Sequence, residues 1–144
     1  MSSMFELHPR LEADTIFLGS LPLTRVLLMN ERRYPWIILV PAQPGLTEVV
    51  ELSEADQAQL IHESSLIAQQ MRRHLSADKI NLAAIGNMVP QLHFHVIARY
   101  RDDASWPAPV WGRFQPDAYS SEEIQSLVQR MALSEIAVFS PAAG

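Results

Sequence analysis

The sequence predicts an α+β domain built on an antiparallel sheet, and three observations carry that reading. Short apolar, β-branched runs follow one another across turns too tight for parallel crossovers. One long and one short stretch repeat apolar residues at helical spacing. Two further β-like runs return after the long helical stretch.

The first strand is expected at Thr15-Ile16-Phe17-Leu18, followed by Gly19-Ser20. The second runs from Leu23 to Met29 and the third from Trp36 to Val40, with Pro22, Asn30-Glu31 and Pro35 as the turn signals. Residues 1–13 read as a mixed lead-in in which Pro9 breaks early regular structure. Pro41 to Gly45 ends the strand pattern before a long helix. Ser53 with Asp56 resembles a capping box, and Leu60, Ile61, Leu66, Ile67 and Met71 share a stripe through about His74. Two more strands are expected near Ile80–Ile85 and Leu92–Tyr100, joined by Gly86-Asn87-Met88-Val89-Pro90. Residues 101–119 hold two of the three Trp and read as an ordered, irregular arm. Ser120 with Glu123 then forms a full capping box for a terminal helix carrying Ile124, Leu127, Val128 and Met131. The expectation is about five antiparallel strands and two main helices in a single domain over 1–144. Its core spans about 14–100, and the arm and last helix fill 101–144.

At 144 residues the chain is long enough to bury roughly 70% of its unfolded surface in one core. Hydrophobic residues at 48% and charged residues at 19% describe a globular chain rather than a disordered one. With no Cys, disulfides, thiol nucleophiles and iron–sulfur clusters are excluded together. A formal charge of −5 argues against a broad basic surface for duplex nucleic acid. The longest apolar run, Trp36 to Pro41, is too short to span a bilayer, and Met1 to Pro9 lacks the pattern of a secretory signal. A cytoplasmic location with no membrane contact is the expectation.

The chemistry is concentrated in Gln91-Leu92-His93-Phe94-His95-Val96-Ile97-Ala98-Arg99. On a strand, alternate residues face the same way, so Gln91, His93 and His95 share a polar face and Leu92, Phe94 and Val96 a core face. Ile97 interrupts the alternation, and Arg99 returns to the polar side. Two imidazoles so placed admit three readings: a hydrogen-bonded strand face, a metal site, or nucleophilic catalysis at phosphorus by a neutral imidazole nitrogen. A metal needs a third protein ligand. His62 and His74 lie about 120° apart around one helix and do not easily both face one site.

The string Gln91-Leu92-His93-Phe94-His95-Val96-Ile97 resembles the signature of the histidine triad (HIT) superfamily of nucleotide hydrolases and transferases, three histidines alternating with apolar residues, with Gln91 in place of the first. Leu28-Met29-Asn30-Glu31 and Trp36 to Pro41 resemble the family's strand pair, so that the likeness covers roughly residues 14–100. The resemblance implies a HIT-like fold and catalysis by His93, which would attack an α-phosphorus to form a nucleotidyl-histidine. It implies that His95 positions the site and its phosphate, with Gln91 as a neutral amide donor. It further implies Asn30 as a ribose contact, Asn87 as a phosphate or leaving-group contact, and Arg99 as a supporting charge. No metal or other cofactor is expected for the attack. The implied substrates are dinucleoside polyphosphates or nucleoside phosphoramidates, and the implied assembly is a homodimer. The alternative is a nucleotide-binding module that turns over weakly, because Gln91 is a neutral amide and cannot be ionised at neutral pH. Arg32 and Arg33 read as a solvated basic spot, and Trp106 and Trp111 as part of a packed arm.

Overall fold

The computed structural model describes residues 4–143. It is an α+β fold on one six-stranded antiparallel sheet, one strand more than the sequence predicts. The strands are β1 (Thr15–Ser20), β2 (Thr24–Met29), β3 (Trp36–Pro41), β4 (Lys79–Ala83), β5 (Phe94–Arg99) and β6 (Ser140–Pro141), in the order β4-β5-β3-β2-β1-β6. The extra strand is two residues long and contains a proline, so it carries no alternation to read. It pairs with Gly19 and Ser20. A Cβ on Gly19 would sit 2.3 Å from the Ser140 carbonyl oxygen, so only glycine admits this pairing.

Among the described residues three α-helices accompany the sheet, α1 (Pro9–Asp14), α2 (Glu54–Leu75) and α3 (Ser121–Met131), with single 3-10 turns at Val49–Glu51 and Leu133–Glu135. The short α1 replaces the irregular lead-in expected from Pro9. Proline costs nothing at the start of a helix, where its missing N–H has no partner, and the His8 imidazole caps the turn by accepting from the Arg10 N–H. Ser53 caps α2 by accepting from the Asp56 N–H at 3.1 Å. The reciprocal half of that box is absent, because the Asp56 carboxylate accepts from Gln43 Nε2 instead. At α3 both halves form, between Ser120 and Glu123.

Both faces of the central strands β2, β3 and β5 are covered. On one, Val26, Leu28, Ile37, Leu39, Phe94, Val96 and Ala98 pack against Leu60, Ile67 and Met71 of α2 and Leu127 and Met131 of α3. On the other, Leu27, Trp36, Ile38, Val40 and Ile97 form a second core with Leu11, Tyr34 and Val110, joined at its margin by Phe5, Leu7 and Trp111. This corrects the expectation of one apolar and one polar face on β5. Every residue of β5 is buried, and Ile97 breaks the alternation because its side too is dry. Each fully buried Leu or Ile here stabilises the fold by about 1.5–3 kcal/mol.

Glu63 of α2 is fully buried and ties the helix to the β1–β2 turn. Its carboxyl oxygens accept from the backbone N–H groups of Leu23 and Thr24, the Thr24 hydroxyl and Gln59 Nε2, at 2.7–3.1 Å. Replacing one acceptor oxygen by an amide would set donor against donor. Glu63→Gln is therefore expected to lower unfolding free energy by about 1–3 kcal/mol, read as a shifted urea midpoint with an unchanged slope.

Candidate active site

His93 is the last residue of the loop before β5, and His95 is the second residue of the strand. They are 8% and 6% exposed, with ring centroids 5.0 Å apart and planes inclined at 69°. Both line an open cleft of ≈ 320 Å³ with Gly86, Asn87 and Met88 of the preceding loop and Trp111 of the arm. A larger groove of ≈ 570 Å³ lies elsewhere, beneath the N-terminal segment beside Phe17 and Leu27, and contains no imidazole.

The two rings are held in different ways. His93 Nδ1 lies 2.7 Å from the carbonyl oxygen of Gln91. A carbonyl only accepts, so Nδ1 carries the proton and Nε2 is left with a lone pair. His95 Nδ1 lies 2.9 Å from the indole Nε1 of Trp36, which donates to it. Trp36 stands at the start of β3, in register with Ile97, so the β3–β5 pairing brings the indole to His95. Trp111 meets the edges of both rings, with centroids 5.2 Å from His95 and 6.1 Å from Trp36. Its own indole N–H is buried without a hydrogen-bond partner among the described residues. Burial, and then the neighbouring His93, push the His95 imidazole down to about 3. At neutral pH it is an uncharged ring.

Arg99 fixes the arm that carries Trp111. At 1% exposure its guanidinium makes a bidentate pair with Asp103 at 2.8 and 3.0 Å, and donates to Asn81 Oδ1 and the Ala108 carbonyl. The rings of Tyr34 and Trp106 lie against it at 5.7 and 5.6 Å. Burial acts to raise the Asp103 carboxyl, but hydrogen bonds from Arg99 and from the Tyr100 and Ser105 N–H groups outweigh it and hold the group at about 2.

Of the residues singled out in the sequence, the cleft brings together His93, His95 and Asn87. Three others are engaged elsewhere. Gln91 lies outside β5, where strand alternation no longer orients it. Its amide oxygen accepts from the His8 N–H at 2.8 Å and its amide nitrogen donates to the Glu6 carbonyl at 2.9 Å. The expected donor to substrate instead clasps the N-terminal segment. Asn30 Oδ1 accepts from the Tyr119 N–H at the far end of the arm. Arg99 is consumed by the arm's beginning, as described, because a guanidinium this buried must satisfy its donors within the protein. Arg33 pairs with Glu31 at 2.7 Å and Arg32 with Glu123 at 3.3 Å, so neither arginine is a free basic spot. Nothing in the local sequence marks Trp36 as a site residue, since its cross-strand partner is set by register. Among the described residues, no group of three or more His, Cys, Asp or Glu converges to hold a metal.

An antiparallel sheet thus presents one imidazole lone pair and one uncharged imidazole to a common cleft. Residues 10–102 match the model of the HIT domain, and the chain belongs to this histidine triad family. A histidine triad protein of Marinobacter aquaeolei is 47% identical, with a TM-score of 0.89 over 93% of this chain and 98% of that one. One from Bradyrhizobium japonicum is 45% identical, with a TM-score of 0.86 over 90% and 96%. One from Sinorhizobium meliloti is 46% identical, also at 0.86, over 88% and 94%. No curated protein matches the sequence. Family membership supports a role in nucleotide binding and hydrolysis.

The depressed His95 value has a consequence for stability. Its imidazole titrates near 6.5 when unfolded and at about 3 when folded, so between those values the unfolded chain binds more protons. His95 therefore lowers stability as pH falls through that window, by up to about 1.4 kcal/mol per pH unit. Urea titrations at pH 7, 6 and 5 are expected to show a steeper loss for wild type than for His95→Gln.

Proposed function

We propose that this chain cleaves nucleotide substrates at the α-phosphorus through a nucleotidyl intermediate on His93. The observation that carries this is the Gln91 carbonyl at 2.7 Å from His93 Nδ1, which leaves Nε2 as a neutral nucleophile beside the cleft. Nε2 attacks phosphorus, an N–P bond forms, and the bond to the leaving group breaks with its electron pair departing on that group. The positive charge gained by the ring is stabilised by the same carbonyl, still accepting from Nδ1. Water then attacks phosphorus and gives up a proton to solvent, the N–P bond breaks, and its electron pair returns to Nε2 with release of nucleoside monophosphate. His95 contributes as an uncharged hydrogen-bond donor to the phosphate oxygens. Asn87 lines the same cleft and, on this reading, contacts the phosphate or leaving group. Asn30 and Arg99 support nucleotide binding by anchoring the arm rather than by contact.

Dinucleoside polyphosphates and nucleoside phosphoramidates both offer an α-phosphorus with a competent leaving group, and they are the substrates to assay first. Release of AMP from diadenosine tetraphosphate and adenosine phosphoramidate, with chelator present, is expected for wild type. For His93→Ala it is expected to fall on the order of 10³-fold or more. Rapid quenching should trap an acid-labile AMP adduct on wild type and none on the variant. If wild type binds AMP but releases no product, the chain is a nucleotide-binding module; the engagement of Gln91 by the N-terminal segment is the observation that favours this second reading.

The homodimer belongs to the same proposal. Among the described residues the outer edge of β4 pairs with no strand, Leu82 is exposed on it and Ile85 is exposed just past its end. Such an edge invites pairing with a second copy. Light scattering is expected to report twice the 16.2 kDa chain mass, and Leu82→Lys to shift it towards the monomer.

A further inference from the structure

The cleft holds two imidazoles whose jobs differ, yet an imidazole is chemically ambiguous. Each neutral ring exists in two tautomers, and the nitrogen that faces a ligand is either a lone pair or a donor. For His93 the choice is made by an acceptor, the Gln91 carbonyl. For His95 the only polar contact among the described residues is Trp36 Nε1, at 2.9 Å from Nδ1. Indole N–H is a donor with no lone pair to offer in return, so it selects the opposite tautomer. Serine, threonine or histidine at the same place would accept as readily as donate, and would leave His95 free to reverse.

We infer that Trp36 is the positioning residue that fixes His95 with its proton on Nε2, making it a permanent hydrogen-bond donor beside the lone pair of His93. The inference rests on the proposed reading of the cleft as a phosphate site and deepens it. With its proton on Nδ1, His95 would turn a lone pair towards phosphate oxygens and repel them, and it would present the cleft with two lone pairs on adjacent rings. The indole is itself held firmly. It is buried in the second core, its strand position is set by the Trp36–Ile97 register, and Trp111 packs edge-on against it at 90°. The N–H is therefore aimed before any ligand arrives, which is what preorganised stabilisation requires. Burial of the His95 ring supports the same assignment, because it disfavours the doubly protonated form that would make the tautomer irrelevant.

Trp36→Phe keeps an aromatic ring and deletes the donor. Should that variant fold poorly, benzothienylalanine at position 36 keeps the bicyclic shape and likewise lacks the N–H. Imidazole nitrogen chemical shifts in ¹⁵N-histidine-labelled protein distinguish protonated from bare nitrogens without any need for turnover. For wild type, His95 is expected to show a bare Nδ1 and a protonated Nε2, and His93 the reverse. For Trp36→Phe, His95 is expected to become a mixture of tautomers while His93 is unchanged. Activity is expected to fall on the order of tenfold in kcat, with KM for substrate changed much less.

A second comparison separates positioning from packing. Glutamine carries amide N–H donors whatever its neighbour, so in a His95→Gln background Trp36→Phe is expected to change kcat by less than about twofold. An unaltered His95 nitrogen pattern in the variant, or an equal loss of kcat in both backgrounds, would overturn the inference. If wild type turns over neither substrate, the proposed hydrolysis fails, but the nitrogen pattern still decides the role of Trp36.

Discussion

The buried pair between Arg99 and Asp103 is the constraint on which the functional face depends. β5 ends at Arg99, and the chain must then leave the sheet and return across its second face. The guanidinium makes that return specific by binding the Asp103 carboxylate at the first turn and the Ala108 carbonyl further on. It also reaches back to Asn81 of β4, so strand and arm are held by one group. Desolvating a lone arginine or aspartate costs several kcal/mol, and only the complete set of partners makes the burial tolerable. With the arm so anchored, Trp106 covers the guanidinium and Trp111 reaches the His95–Trp36 pair.

Beneath that cover, the chemistry follows from hydrogen-bond direction rather than from charge. Two histidines separated by one residue would ordinarily be equivalent. Here a backbone carbonyl and an indole N–H assign them opposite tautomers, and burial keeps His95 uncharged. A ring with a bare nitrogen and a ring held by an indole N–H thus stand side by side in one cleft, with no ion pair needed to maintain them. Such an arrangement is robust to salt, since neither hydrogen bond relies on a screened surface charge.

Gln91, Asn30 and Arg99 share a lesson. The sequence marks them as polar groups around a nucleotide motif, and each in fact ties a covering segment to the sheet. Gln91 clasps residues 6 and 8, Asn30 takes the Tyr119 N–H, and Arg99 takes the beginning of the arm. Central strands dry on both faces need cover on both, and the segments covering the second face are largely irregular chain whose backbone groups demand partners. Polar side chains at strand ends meet that demand. They shape the site from behind it.

Much of the protein was legible in its residues. Strands β1 to β3, the long helix starting at Ser53 and the Ser120–Glu123 box all follow from local patterns, because turn chemistry, helical periodicity and capping act over a few residues. The His93–His95 pair was legible too, as an alternation carried by one strand. What tertiary structure alone decided was every feature that joins distant parts of the chain. The dryness of the second face depends on Phe5, Leu7 and Val110 arriving there from the two ends of the fold. The tautomer of His95 depends on Trp36, 59 positions away, meeting it through the β3–β5 register. Local sequence sets the conformational preferences of a segment; which partner satisfies a buried donor or acceptor is a property of the packed whole.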